Sequence, residues 1–209
     1  MASQSERSYE VKPLFAEPYF HTNIADAITQ AQVKFIQSQP MQTNQVNQIS
    51  DELYLFNRPE MKSIRRAVQQ ALDSFAQEVM GIAQELEVTQ SWCLMNPPGV
   101  GMHGHTHSNS LVSGSLYYTD MPDPPGNVVF ERFNHYRAIE LMVDPERNNI
   151  YNTQRNAIIP EKGDLFLFGS GLQHYVEENT SAQPRYSIAF NSFVRGTIGS
   201  FRDVSELKL

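Results

Sequence analysis

Cysteine is almost missing from this 209-residue chain: Cys93 stands alone. No intrachain disulfide can form, and a metal site would have to be built from histidine and carboxylates rather than thiolates. A lone thiol fits a reducing compartment, so a cytoplasmic location is expected. No apolar run is long enough to cross a bilayer, and Met1 to Ser8 are polar, so neither a membrane span nor a secretion signal is expected. Positive charge is also scarce, with 16 Lys+Arg against 23 Asp+Glu and a net charge of -7. Without a basic stripe to neutralise phosphates, nucleic acid is an unsuitable partner. The one basic cluster, Lys62, Arg65 and Arg66, falls on a predicted helix and reads as a solvated face. There is no internal repeat. What is present, 40% apolar and 19% charged residues, describes one globular domain over residues 1–209 with enough chain to bury a core.

The first ninety residues read as helical, which makes residues 1–88 a helical support region. Met61, Ile64, Val68, Ala71, Leu72, Phe75, Val79, Ile82 and Leu86 recur at helical spacing and predict one long amphipathic helix. Asn57, Pro59 and Glu60 supply a cap, a first-turn proline and a capping-box partner for it. A weaker helix is expected from about Ile24 to Gln37, with a polar loop over 42–50.

After Val88 the pattern changes to short runs rich in Val, Ile, Leu, Phe and Tyr, separated by Pro, Gly, Asn and Asp. Strands are expected over 91–95, 103–108, 111–119, 127–133, 138–143, 156–160, 164–168, 174–177 and 185–194. Strands following helices predict a mainly β domain with N-terminal helices, a two-sheet jelly roll or related barrel over 89–197 whose helices cover one sheet, with a C-terminal tail over 198–209. The polar connection 144–155 is too long for a tight hairpin and reads as a lid or a loop tip.

Three of the six histidines lie in Gly101-Met102-His103-Gly104-His105-Thr106-His107-Ser108. On an extended strand, residues i and i+2 share a face about 6.5 to 7 Å apart, close enough for two imidazoles to meet one ion. His103 stands between glycines 101 and 104, so His105 and His107 are the preferred pair and His103 is assigned to the rim. His174, at the start of a strand after the turn Phe168-Gly169-Ser170-Gly171, offers a third ligand. Eleven residues later, alternation in Arg185-Tyr186-Ser187-Ile188-Ala189-Phe190-Asn191 places Arg185, Ser187, Ala189 and Asn191 on one face. A guanidinium with a hydroxyl two residues on is a donor set suited to a carboxylate.

In order, these elements resemble the Fe(II)/2-oxoglutarate-dependent oxygenases over about Trp92 to Asn191. They are nearest to a small oxygenase family that joins a Trp-x-x-x-Asn strand (Trp92, Asn96) to His-x-His (His105, His107), Ser113-Gly114 and Tyr117-Tyr118. Gly126-Asn127-Val128-Val129-Phe130, Gly163-Asp164-Leu165-Phe166-Leu167-Phe168, His174 and Arg185-x-Ser187 continue the pattern, and Pro13 to Tyr19 is similar to that family's opening segment.

The resemblance implies a cupin-like double-stranded β-helix with helices packed on one sheet. It also implies an enzyme that uses Fe(II), 2-oxoglutarate and O2 to hydroxylate a substrate, releasing succinate and CO2. His105, His107 and His174 would hold the metal, and Arg185 and Ser187 the distal carboxylate of 2-oxoglutarate. Tyr118 would donate to the same group, with Tyr117 as the alternative. Most such oxygenases place Asp or Glu two residues after the first histidine. Here His107 stands there, giving a more positive centre, and Asp120 could supply a carboxylate only if its loop folded back.

Zinc also binds imidazole and stands above Fe(II) in the affinity order. The alternatives are therefore a cupin-like binding protein without turnover, or a three-histidine iron dioxygenase that does not use 2-oxoglutarate. The primary substrate is not legible, although Arg132, His135, Tyr136 and Arg137 would suit an acidic one. Apolar helix faces are available to cover the barrel or a second copy of the chain, leaving a homodimer open.

Overall fold

The computed structural model describes residues 9–132 and 142–209. Of the strand expected over 138–143, residues 138–141 lie outside the described residues, and Met142 and Val143 are not in a strand.

Two antiparallel sheets form the body. Eight strands make its core: β4 Glu85–Asn96, β5 Met102–His105, β6 Val112–Leu116, β7 Val128–Glu131, β8 Arg155–Ile158, β9 Asp164–Gly169, β10 Gln173–Val176 and β11 Arg185–Arg195. The order β9-β6-β11-β4 runs through the larger sheet, and β5-β10-β7-β8 forms the smaller. The chain passes repeatedly between the two sheets, which is the double-stranded β-helix arrangement. Apart from β5, Met-His-Gly-His, these strands have the β-branched or aromatic content, with Gly, Pro and Asn between them, that favours a pleated half-buried surface.

The N-terminal region departs from the helical expectation. Three of its segments are strands: β1 Tyr19–Asn23, β2 Met41–Asn44 and β3 Asn47–Ser50. β1 pairs with β9 from Tyr19↔Phe168 to Asn23↔Asp164, while the β2–β3 hairpin adds to β4. The segment 42–50 is therefore sheet rather than loop. Its amide-rich composition hid it, because polar residues on a sheet edge leave little alternation to read.

Among the described residues two α-helices remain, α1 Gln30–Gln37 and α2 Lys62–Ser74. α1 starts at a capping box between Thr29 and Gln32, and residues 25–27 form a separate 3-10 turn. The Gln32 side chain also donates to Glu60 O at 2.9 Å and Ser63 Oγ at 2.8 Å, tying α1 to the start of α2. α2 lacks the expected Asn57 cap. Asn57 is absorbed in a 3-10 turn over Leu55–Asn57, and Arg58, extended as a residue before proline must be, admits a second such turn at Pro59–Met61. The helix ends early as well, in a π-turn at Phe75–Met80 closed by Gly81 at φ +64. Leu86 continues the helical spacing only by coincidence, since it already belongs to β4.

Alternation divides the core in two. Ile64, Val68, Leu72 and Phe75 of the helical stripe share one cluster with Leu116, Leu165, Leu167, Ile188 and Phe190 from the outer face of the larger sheet. Between the sheets, Tyr117, Val128, Phe130, Phe166 and Phe168 form the second. Gly114 is required by this packing, because a Cβ there would overlap the Phe190 ring. Residues 198–209 are not a featureless tail: β12 Thr197–Ile198 pairs with β13 Leu207–Lys208.

Candidate metal and carboxylate site

At the open end of the barrel, β5 and β10 pair with His105 opposite His174. His107 lies past the end of β5, so simple strand alternation does not bring it to the same point. Its backbone N–H donates to Ser170 O at 2.9 Å and its ring to a side chain on β11, and these bonds turn it inward. The three rings converge, with centroids 4.4 Å apart for His105–His174, 5.1 Å for His107–His174 and 5.2 Å for His105–His107. One ring nitrogen from each lies within 4.8 Å of the others. Phe168 sets its edge against His174 at 4.7 Å, and Trp92 lies nearly parallel to His107 at 6.3 Å.

In all three imidazoles Nδ1 is already used. It donates to His103 O at 2.9 Å in His105, to Leu172 O at 3.0 Å in His174 and to Asn191 Oδ1 at 2.6 Å in His107. Each acceptor is an oxygen, so Nδ1 carries the proton and Nε2 keeps its lone pair, the tautomer that a metal requires. The Nε2 of His107 is buried without a partner among the described residues. Burial pushes the His174 pKa down to about 4 and lowers that of His107, overriding the hydrogen bonds that favour their charged forms. His107 and His174 are therefore held neutral at neutral pH, and the donor set fits a divalent transition metal.

A cavity of about 260 Å³ runs from the histidines to Arg185 and Ser187. Arg185 is 3% exposed, and its Nη1 has no hydrogen-bond partner among the described residues. A buried guanidinium so placed is costly until an anion pairs with it. Burial lowers its pKa, while Tyr117 and Glu177 favour its charge. The expected polar face of β11 is present, as Arg185, Ser187, Ala189 and Asn191 all line the cavity.

Other sequence assignments fall differently. Tyr118 is not in the site: fully buried in the helix-side core, its hydroxyl meets Cys93 Sγ at 3.3 Å. Tyr117 lines the cavity instead. The alternation Val112-Ser113-Gly114-Ser115-Leu116 carries the signal, since it puts residue 117 on the side of the serines and residue 118 with Leu116. Asp120 pairs with Lys162 at 3.1 Å on the surface and supplies no ligand. His103 is exposed beside His105. Arg132 donates to the carbonyls of Ile150 and Tyr151, and residues 135–137 lie outside the described set. Asn44 and Asn47 from the N-terminal hairpin also line the cavity; their share was not legible because the hairpin itself was not.

Residues 90–191 match the family described as "Putative 2OG-Fe(II) oxygenase". No curated protein sequence matches the chain. Among solved structures, it is similar to a 2OG-Fe(II) oxygenase family oxidoreductase from Burkholderia pseudomallei, at 14% identity and TM-score 0.58, with 83% of each chain covered. A Pseudomonas putida prolyl-4-hydroxylase is similar at 15% identity and TM-score 0.59, over 86% of this chain and 94% of that one. HygX from Streptomyces hygroscopicus, solved with nickel, 2-oxoglutarate and hygromycin B bound, is similar at 14% identity and TM-score 0.55, over 84% of this chain and 82% of that one. At these identities the likeness to solved structures establishes the fold.

Proposed function

We propose that this chain, whose residues 90–191 match the 2OG-Fe(II) oxygenase family, is such an oxygenase, holds Fe(II) with His105, His107 and His174 and hydroxylates a substrate yet to be identified. The observation that carries the reading is the convergence of three imidazoles whose Nδ1 atoms are all committed elsewhere. Bound there, Fe(II) with 2-oxoglutarate and O2 supplies the oxidation of a C–H bond, with succinate and CO2 released. The protein's share is positioning. Arg185 and Ser187 receive the distal carboxylate of 2-oxoglutarate, and Tyr117, beside Arg185, donates to the same group. Phe130, Phe166 and Phe168 in the inter-sheet cluster keep water from the rear of the site.

Among the described residues no helix is long and apolar enough to cross a membrane. The buried free thiol of Cys93 supports a cytoplasmic setting.

Anaerobic titration of Fe(II) into apo-protein with 2-oxoglutarate tests the reading. We expect a visible charge-transfer band that needs the keto acid. Iron bound without that band would move the assignment to iron chemistry in which the substrate itself meets the metal. Zinc bound tightly in place of iron would move it to a binding protein without turnover.

A further inference from the structure

His105 and His174 each donate Nδ1–H to a backbone carbonyl two residues earlier in the chain, a bond that any sequence at those acceptors would provide. His107 differs, because its acceptor is a side chain 84 residues away on the other sheet. Asn191 Oδ1 accepts from His107 at 2.6 Å and from Ser113 Oγ at 2.9 Å. Ser113 Oγ meets Ser170 Oγ at 2.8 Å, and Ser170 Oγ donates to Ser110 Oγ at 2.7 Å. Ser110 is anchored in turn on the carbonyls of Val112 and Ser192. Asn191, Ser113 and Ser170 are 7%, 0% and 2% exposed, so water has little access to substitute for any of them. A buried polar chain of this kind has few alternative arrangements.

We infer that Asn191 is the positioning residue for His107. Through the serine chain it fixes the ring's orientation and its Nδ1–H tautomer, and its neutral amide sets how strongly Nε2 can donate to a metal. The metal half of this inference rests on the three-histidine reading above; the tautomer half does not. An amide carbonyl leaves the imidazole neutral, whereas a carboxylate in the same place would draw on the Nδ1 proton and make Nε2 a better donor.

The test combines nitrogen NMR of ¹⁵N-histidine-labelled apo-protein with Co(II) titration of the wild type, Asn191→Asp, Asn191→Leu and Ser170→Ala. In the wild type we expect His107 held as the Nδ1–H tautomer. Asn191→Asp should keep that tautomer and bind Co(II) at least as tightly. Asn191→Leu should give mixed tautomers and bind Co(II) about 10- to 100-fold more weakly. Ser170→Ala, which removes only the serine support, should show a smaller loss in the same direction and keeps the test open if Asn191→Leu fails to fold. Unchanged tautomer and affinity in Asn191→Leu, or equal weakening in Asn191→Asp and Asn191→Leu, would overturn the inference. A wild type with the expected tautomer that binds no Co(II) would sink the three-histidine reading and the donor-strength claim together, while upholding the positioning of the ring.

Discussion

Along β11, Ile188 and Phe190 are fully buried in one cluster with Ile64, Val68 and Leu72, whereas Arg185, Ser187 and Asn191 on the opposite face line a cavity. Ile188 and Phe190 have no side-chain polar atom to satisfy, and each contributes about 1.5 to 3 kcal/mol by leaving water. The second keeps Arg185 Nη1 buried without a hydrogen-bond partner among the described residues, beside the likewise unpartnered His107 Nε2, which opposes folding unless ligands arrive. One strand thus carries both the adhesion of the fold and the unmet demand for ligands. The apolar face tolerates the polar one because its stabilisation comes from the helices, on the far side of the sheet.

Substitutions can separate the two faces. The largest effect is expected from the metal end: His174→Ala should abolish Co(II) or Fe(II) binding in a metal titration while leaving a cooperative thermal transition. On the apolar face, Phe190→Ala should cost about 3 to 5 kcal/mol of stability, read by urea unfolding, with metal affinity nearly unchanged in the protein that remains folded. Arg185→Ala should weaken 2-oxoglutarate by about 2 to 5 kcal/mol, measured by calorimetry on Co(II)-loaded protein, with little loss of stability, since it removes a buried guanidinium whose Nη1 has no hydrogen-bond partner among the described residues. A clear drop in stability for Arg185→Ala would mean that the two faces are less separable than the packing suggests. The smallest effect distinguishes the tyrosines. Tyr117→Phe should weaken 2-oxoglutarate by about 0.5 to 1.5 kcal/mol, and Tyr118→Phe should leave that affinity alone, both read in the same calorimeter.

Much of this division is written in the sequence where the two periods are clean. Ile64, Val68 and Leu72 show the helical stripe, and Arg185, Ser187 and Asn191 the inward face of β11. His105 and His107 stand out as a density of imidazoles, and His174 as a histidine that opens a strand after a turn, eleven residues before Arg185. The reason they converge was not available, since His107 is brought in by bonds to Ser170 and Asn191, and long-range tethers leave no local pattern. Tyr117 and Tyr118 were confused although alternation favours the former, because adjacent identical residues give composition no way to choose. The β2–β3 hairpin went unread for a different reason. A polar ribbon at a sheet edge lacks the apolar alternation that marks a strand, and only its pairing with β4 defines it.

The flanking of the larger sheet bears on how the chain can be cut. β1 closes one of its edges against β9 and the β2–β3 hairpin closes the other against β4, while α2 covers its outer face. A fragment trimmed to residues 90–191 would present bare backbone along both of those strands and strip the cover from Leu165, Leu167, Ile188 and Phe190. Open strand edges beside a greasy surface are templates for self-association. Such a fragment should precipitate or form β-rich assemblies, whereas the longer chain ends the larger sheet on β1 and on the polar strand β2.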